Sequence, residues 1–381
     1  MRGLVNFALM GAVALSLGTG CQVWQKEAAP PVKDAASMEQ AMVPEERLIV
    51  LSTHVPLGSF ADPTSTIHQT DNLPELYALL GERPALSLSG HTHSLENHAP
   101  GQHFAGWEQA VGIERLPFRH IVAGAASGAW WQGDFDIDGV PMSLQRFGAP
   151  KGVLDLAFDD AGYRERYIPA RIDPERQQWL GFSTPAFRDW FEAIDRWRQR
   201  DAEERDRLPP LSINDLPDTR LLTPGDLEAG VWLTANVWLG SAEARLTATL
   251  DDGKPMPMER TQAGAGEAAR VGAEWADPFA TQRQLSVARY ALESRSGEPR
   301  NQGIELFRGN RIGPAVPQPM GSVADRNMHL WRWRLPEALP EGVHRLQVEA
   351  VDRHGERTTE ITTFEVRSER PAPRWRSELW D

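Results

Sequence analysis

The chain has a single cysteine, Cys21, in 381 residues, so no disulfide can form within it. It is short of positive charge: 40 Lys and Arg stand against 53 Asp and Glu, a formal net charge of -13. That excludes a nucleic-acid binder, which needs clustered cations to neutralise phosphates. Long apolar runs are scarce too, and the one from Leu4 to Leu17 is too short and too Gly-rich at its end to span a membrane. No tandem repeat is evident, which removes solenoid architectures. Tyrosine is rare, 4 residues against 14 Trp. Many of those Trp lie in strand-like sequence, where packing into β-structure is favoured over an aromatic platform for ligands.

What is present begins with an N-terminal signal. Residues 1–21 carry an early Arg2, the apolar stretch and small residues before Cys21, the layout of a secretory signal peptide. The run Leu17-Gly18-Thr19-Gly20-Cys21 resembles a bacterial lipobox, in which the cysteine is lipidated. Gly18 departs from the usual Leu. The expectation is an exported protein of the periplasm or outer membrane, with Cys21 as the lipid-bearing residue and Gln22 behind it; lipid anchors without any spanning segment. Residues 22–37, polar with a Pro pair, read as a linker.

From residue 38 the pattern is structural. MEQAMVPEERL reads as the end of a short helix and Leu48–Ser52 as a buried strand ending at Thr53-His54. TDNLPELYALLGERP reads as a helix capped by Asp71 or Asn72 and stopped at Gly81. ALSLSG and RHIVAGAAS read as strands, and GVLDLAFDDAGYRERYI as a hairpin turned at Asp159–Gly162. The histidines thus fall at strand ends, where open α/β sheets place ligands. Residues 184–206 read as a charged amphipathic helix whose outer face is solvated. Beyond it VWLTANVWL, ARLTATLDDGKPM, HLWRWRLP and HRLQVEAVDRHGERTTEITTFEV alternate with period two, as β-sandwich strands do.

The chemistry rests on His54, His91 and His93. Neutral imidazole ligates Zn, Fe or Mn, and histidines at i and i+2 on a strand end diverge toward different ions. STHVPL, SGHTHS and RHIVAGAASGAWWQGDFDIDGVP resemble the second half of a calcineurin-like metallophosphoesterase. The remainder, to about Val366, resembles the C-terminal domain attached to a bacterial exported branch of that family. The resemblance implies an α+β fold: the second half of a metallophosphoesterase β-sandwich flanked by helices (38–168), followed by a mainly-β, sandwich-like C-terminal domain (169–366) and a tail (367–381). It also implies two divalent ions, Mn, Fe or Zn, activating water and clamping a phosphoester. His54 and His91 match ligands of one ion and His93 a ligand of the other, with Gly90 allowing a tight turn into the site. His120 matches a substrate-side position.

The family's Asp-x-His, Gly-Asp-x-x-Asp and Gly-Asn-His-Asp/Glu motifs do not occur before His54. The bridging carboxylate is therefore missing, and the expectation is a family member that is incomplete or inactive as it stands, with Leu48–Leu51 left on an exposed apolar side. A separate chain carrying the missing half is one partner that would complete it; a phosphoester small molecule or an envelope component is the other class. The alternative is a non-catalytic envelope-binding protein derived from the family. His68, His98 and His103 lie in loops near the site and read either as groups beside the substrate or as exposed loop histidines. Asp134, Asp136, Asp138 and Gly139 resemble the start of a calcium loop, but Gln145 stands where the bidentate Glu belongs. Trp130 and Trp131 divide between packing and stacking on a substrate.

Overall fold

Adjacent parallel strands carry the first two histidine segments to one edge of a small sheet. The computed structural model describes residues 46–128, 144–159, 162–198, 201, 216–282 and 326–371. Strand β1 (Ile49–Ser52) pairs in parallel with β2 (Ala85–Ser89), and β2 with β4 (Arg119–Ala123). The antiparallel β3 (Leu95–His98) closes the order β1-β2-β4-β3. Helix α1 (Leu73–Leu80) starts after Asn72, has Pro74 in its first turn, and ends at Gly81, whose φ is 59°. The short α2 (Trp107–Val111) follows β3. One face of the sheet packs on a core containing Leu57, Phe60, Leu73, Phe104 and Trp107; Leu86, Leu88, Ile121, Leu154 and Leu156 form a second cluster.

The strand β5 (Gly152–Asp159) and β6 (Gly162–Pro169) form the hairpin, Asp159 opposite Gly162. Beyond it lies a sandwich. One sheet orders β12 (Glu259–Arg260), β13 (Leu330–Arg334), β9 (Trp232–Val237) and β7 (Gln178–Ser183). The other orders β11 (Met256–Pro257), β10 (Arg245–Leu250), β14 (Gly342–Val351), β15 (Arg357–Val366) and β8 (Leu221–Leu222). Their inward residues, among them Phe182, Leu233, Leu246, Val348 and Phe364, make one core. Helix α3 (Pro185–Arg198) buries Phe187, Trp190 and Phe191, spaced i, i+3, i+4, against Leu216 and Ala276. Helix α4 (Pro224–Ala229) carries a reciprocal capping box between Thr223 and Asp226.

The mixed α+β character and the strand-rich second half agree with the sequence reading. Four readings change. β3 was not expected and places His98, read as a loop residue, wholly inside the protein. The side of Leu48–Leu51 is not a broad apolar patch: Ile49 and Leu51 pack against the first core, Leu48 against the second, and Val50 is 41% exposed. Gly90 is not in the left-handed region; His91 and His93 are, at φ 65° and 53°. His103 is half-buried, its backbone N–H donating to the Gly264 carbonyl at 3.1 Å. The signal segment with Cys21, the linker 22–37, Trp130, Trp131 and the Asp134–Gly139 run lie outside the described residues. No helix among the described residues is long and apolar enough to cross a membrane.

Gly148 shows how tightly the two parts join. Its φ is 80°, and a Cβ there would stand 2.4 Å from the Ala280 Cβ and 3.0 Å from the Asn236 amide nitrogen. That amide spans from the Phe147 carbonyl to Asp277 at 2.7 and 2.5 Å. Gly148→Ala combines a disfavoured backbone with a clash against backbone-fixed groups, so it is expected to cost about 2 kcal/mol or more in urea unfolding. A neutral result would show that this junction yields.

Candidate functional site

His54 lies two residues past β1 and His91 two residues past β2, so the parallel register brings both to the carboxyl end of neighbouring strands. Two backbone bonds extend the pairing beyond the strands: Thr53 N–H to the Leu88 carbonyl, 3.0 Å, and Gly90 N–H to the His54 carbonyl, 3.1 Å. The chain then reverses within three residues, Thr92 N–H donating to the Gly90 carbonyl at 2.7 Å around His91. Positive φ at two non-glycine sites flanking Thr92, His91 and His93, costs of order 1–3 kcal/mol each. Strain of that size persists only where surrounding contacts hold it.

The side chains form a line of imidazoles. His91 Nδ1 lies 3.0 Å from His54 Nε2, and His91 Nε2 lies 2.9 Å from His68 Nδ1. His68 Nε2 is 3.9 Å from an Asp62 carboxylate oxygen. A neutral imidazole has one N–H, and His91 uses both nitrogens, so it donates once and accepts once. The Asp62 carboxylate favours a proton on the facing His68 Nε2. His68 Nδ1 then accepts from His91 Nε2–H, and His91 Nδ1 accepts from His54 Nε2–H; all three rings are assigned the Nε2–H tautomer by this order. Partial burial, then the neighbouring His68, His54 and His93, lower the His91 pKa from its ordinary value. His54 and His91, expected as ligands of one ion, meet ring to ring. His68, read as a loop residue, joins them because residues 53–70 fold back on themselves, with Ser59 N–H bonded to the Gln69 amide oxygen at 3.0 Å. His93 is half-buried on the same loop, and its backbone carbonyl accepts from Arg146 N–H at 2.9 Å.

His120 lies elsewhere. It is in β4, 2% exposed, stacked on Phe118 and 3.2 Å from the Tyr77 hydroxyl. Burial drives its pKa well down and that of Tyr77 up. It is a neutral core histidine, not a group at an open site.

A pair of divalent ions sharing a bridge needs carboxylates for charge compensation as well as imidazoles. Here the carboxylate beside the imidazole line is Asp62, at the far edge of His68. Among the described residues no three His, Cys, Asp or Glu side chains are arranged to hold a metal ion. The described donor set does not fit a two-ion centre.

The residue that sequence reasoning missed is Glu96, which is wholly buried. Its carboxylate accepts from Ser59 Oγ at 2.8 Å, Phe60 N–H at 2.7 Å, Ser94 Oγ at 2.5 Å and His98 Nε2 at 2.7 Å, with Ala61 N–H at 3.4 Å. Burial alone would raise its pKa; these hydrogen bonds, that from His98 foremost, outweigh it and hold Glu96 ionised below its ordinary range. Its spacing of two from His98, directly after SGHTHS, was the available signal.

No curated protein and no solved structure matches this chain. Residues 120–297, a little under half of it, match the family model described as the C terminal of calcineurin-like phosphoesterase, a span that runs from β4 through the sandwich strands to β12 and contains neither His54, His91 nor His93.

Proposed function

We propose that this is an exported protein of the calcineurin-like metallophosphoesterase family whose imidazole line His54–His91–His68 marks the position of the phosphoester site, and that the chain by itself does not turn over phosphoesters. The observation that carries the reading is the meeting of His54 and His91 at 3.0 Å on adjacent strand ends, upstream of a segment matching that family's C-terminal domain. The donor set argues for the second half: imidazoles without a converging carboxylate leave a divalent ion short of charge and of ligands. Export and anchoring through Cys21 are part of the same proposal, resting on the signal-like N-terminus. A partner chain bringing the carboxylates would join at β1, whose outer edge pairs with no described strand.

The test is the purified chain with added Mn²⁺ or Zn²⁺ on a generic aryl phosphate, beside His91→Ala. The expected result is no metal-dependent turnover above that of the variant. Turnover that His91→Ala abolishes would overturn the inactive reading and leave the family assignment standing.

A second reading, a non-catalytic envelope-binding protein, draws on the sandwich. A cleft of about 350 Å³ opens between β7 and β15, lined in part by Arg176, Arg220, Trp179, Phe279 and Glu360. Trp179 stacks on Phe279 at 4.6 Å and carries Arg176 on its ring at 4.7 Å, so a ligand would meet a flat aromatic wall and a guanidinium held in place by Glu360 at 2.6 Å.

A further inference from the structure

Two loops build the imidazole line, and neither histidine-bearing segment is itself part of a helix or strand. Residues 53–70 bring His54, Asp62 and His68; residues 90–94 bring His91 and His93. Beside the backbone bond from Gly90 N–H to the His54 carbonyl, the side-chain hydrogen bonds that tie these loops down away from the imidazoles converge on one buried carboxylate. From the first loop, Ser59 Oγ, Phe60 N–H and Ala61 N–H all point at Glu96. From the second, Ser94 Oγ donates to Glu96 and lies 2.7 Å from Thr92 Oγ1, between the two positive-φ histidines. Trp107 Nε1–H donates to the Ser59 carbonyl at 3.1 Å, fixing the same corner from α2. His98, in edge-to-face contact with Trp107 at 5.4 Å, holds the remaining side of the carboxylate.

We infer that Glu96 is the positioning residue of the imidazole line: it clamps both histidine-bearing loops to β3 and so sets the order His54–His91–His68. A carboxylate is required because every group facing it is a donor. Ser59 Oγ, Ser94 Oγ and Ala61 N–H meet one oxygen; Phe60 N–H and His98 Nε2 meet the other. Glutamine, the same shape, must turn its NH₂ either on Phe60 N–H and His98 Nε2–H, which have no lone pair to offer, or on Ser59 and Ser94, whose hydroxyls would have to reverse from donors to acceptors. The strained turn at His91 then loses the contacts that over-determine it. The inference rests on reading the line as the functional site, but the clamp is tested without metal or substrate.

The experiment records the ring-nitrogen NMR spectra of the histidines in the full mature chain. Wild type is expected to show the rings of His54, His68 and His91 each in one tautomer, with separate protonated and bare nitrogen signals. Glu96→Gln is expected to lose that separation at all three rings. Ser94→Ala, which removes only the link from Glu96 to Thr92, is expected to lose it at His91, and decides the matter if Glu96→Gln does not fold. Glu165→Gln, at a buried carboxylate that meets β3 only through the long Asn97 contact at 3.4 Å and touches neither histidine loop, is the control for general destabilisation and is expected to leave the three rings unchanged. Unchanged rings in Glu96→Gln or Ser94→Ala, or equal loss in Glu165→Gln, would overturn the inference. Phosphoester turnover, present or absent, bears only on the reading of the site and leaves this outcome unmoved.

Discussion

Replacing Trp238 with alanine is expected to lower stability by about 3–5 kcal/mol, the range for deleting a fully buried large aromatic. Trp238 has no exposed surface and packs with Leu95 of β3, Ala149 and Tyr167 of the hairpin. Its ring lies 5.1 Å from that of Trp179 and 6.3 Å from that of Tyr167, both in edge arrangements. It therefore sits at the seam where the first sheet, the hairpin and the sandwich meet, with its backbone N–H fixed on the Gln177 carbonyl at 3.1 Å. Removing it opens a cavity that three separately anchored elements cannot close. The indole N–H is buried without a partner among the described groups, so Trp238→Phe loses packing area but relieves that cost, and is expected to retain more than half of the lost stability. Urea unfolding followed by circular dichroism measures both. Equal losses in the two variants would show that something other than the cavity dominates.

A fully buried seam also explains which parts were legible in sequence. Strands β14 and β15 alternate strictly because one side of each faces the sandwich core and the other faces solvent. The β2 run ALSLS reads as a strand, and is one, buried along its whole length. LENH, by contrast, shows no apolar alternation, yet all four residues are buried. Glu96 and His98 satisfy each other, while Asn97 accepts from Arg119 Nη1 at 2.6 Å and donates to the Leu239 carbonyl at 3.1 Å. Polarity alone cannot separate a loop from a strand whose polar side chains find partners inside the protein. Leu79 errs the other way: it keeps helical spacing with Leu73, Leu76 and Leu80 but is 83% exposed.

For the candidate site, His54 and His91 were legible because two parallel strands of similar length end level with one another. His68 was not, since its approach depends on fourteen residues of loop returning through Gln69, and loop closure leaves no periodic trace. The weight placed on His120 came from its position before a strand, while the structure places it within that strand, under Tyr77.

The second large effect is a pH dependence centred on Glu165. Arg353 grips this carboxylate with both arms, Nε at 2.7 Å and Nη2 at 2.6 Å, and His354 Nε2 approaches to 3.0 Å. Asn97 reaches it at 3.4 Å from β3, so the contact ties the hairpin to the β14–β15 turn and to the first sheet. The Glu165 side chain is 4% exposed. Burial pushes its pKa up, but the hydrogen bonds from Arg353 and His354 and the attraction of Arg353 and Arg119 prevail and bring it to about 2, against an ordinary 4.5. A depressed carboxylate pKa means the folded chain holds the proton more weakly than the unfolded chain. The stabilisation is therefore complete above the unfolded pKa and is lost as pH falls from about 4.5 toward 2. A depression of that size corresponds to about 3 kcal/mol. Glu165→Gln removes the titration, so its unfolding free energy is expected to lie below wild type at pH 7 and to converge on it as pH approaches 2. Urea unfolding at a series of pH values measures the gap. Parallel curves across that range would mean that Arg353 and His354 hold the carboxylate no more strongly in the folded chain than water does in the unfolded one, and that the join between hairpin and sandwich draws its strength from packing and its other contacts.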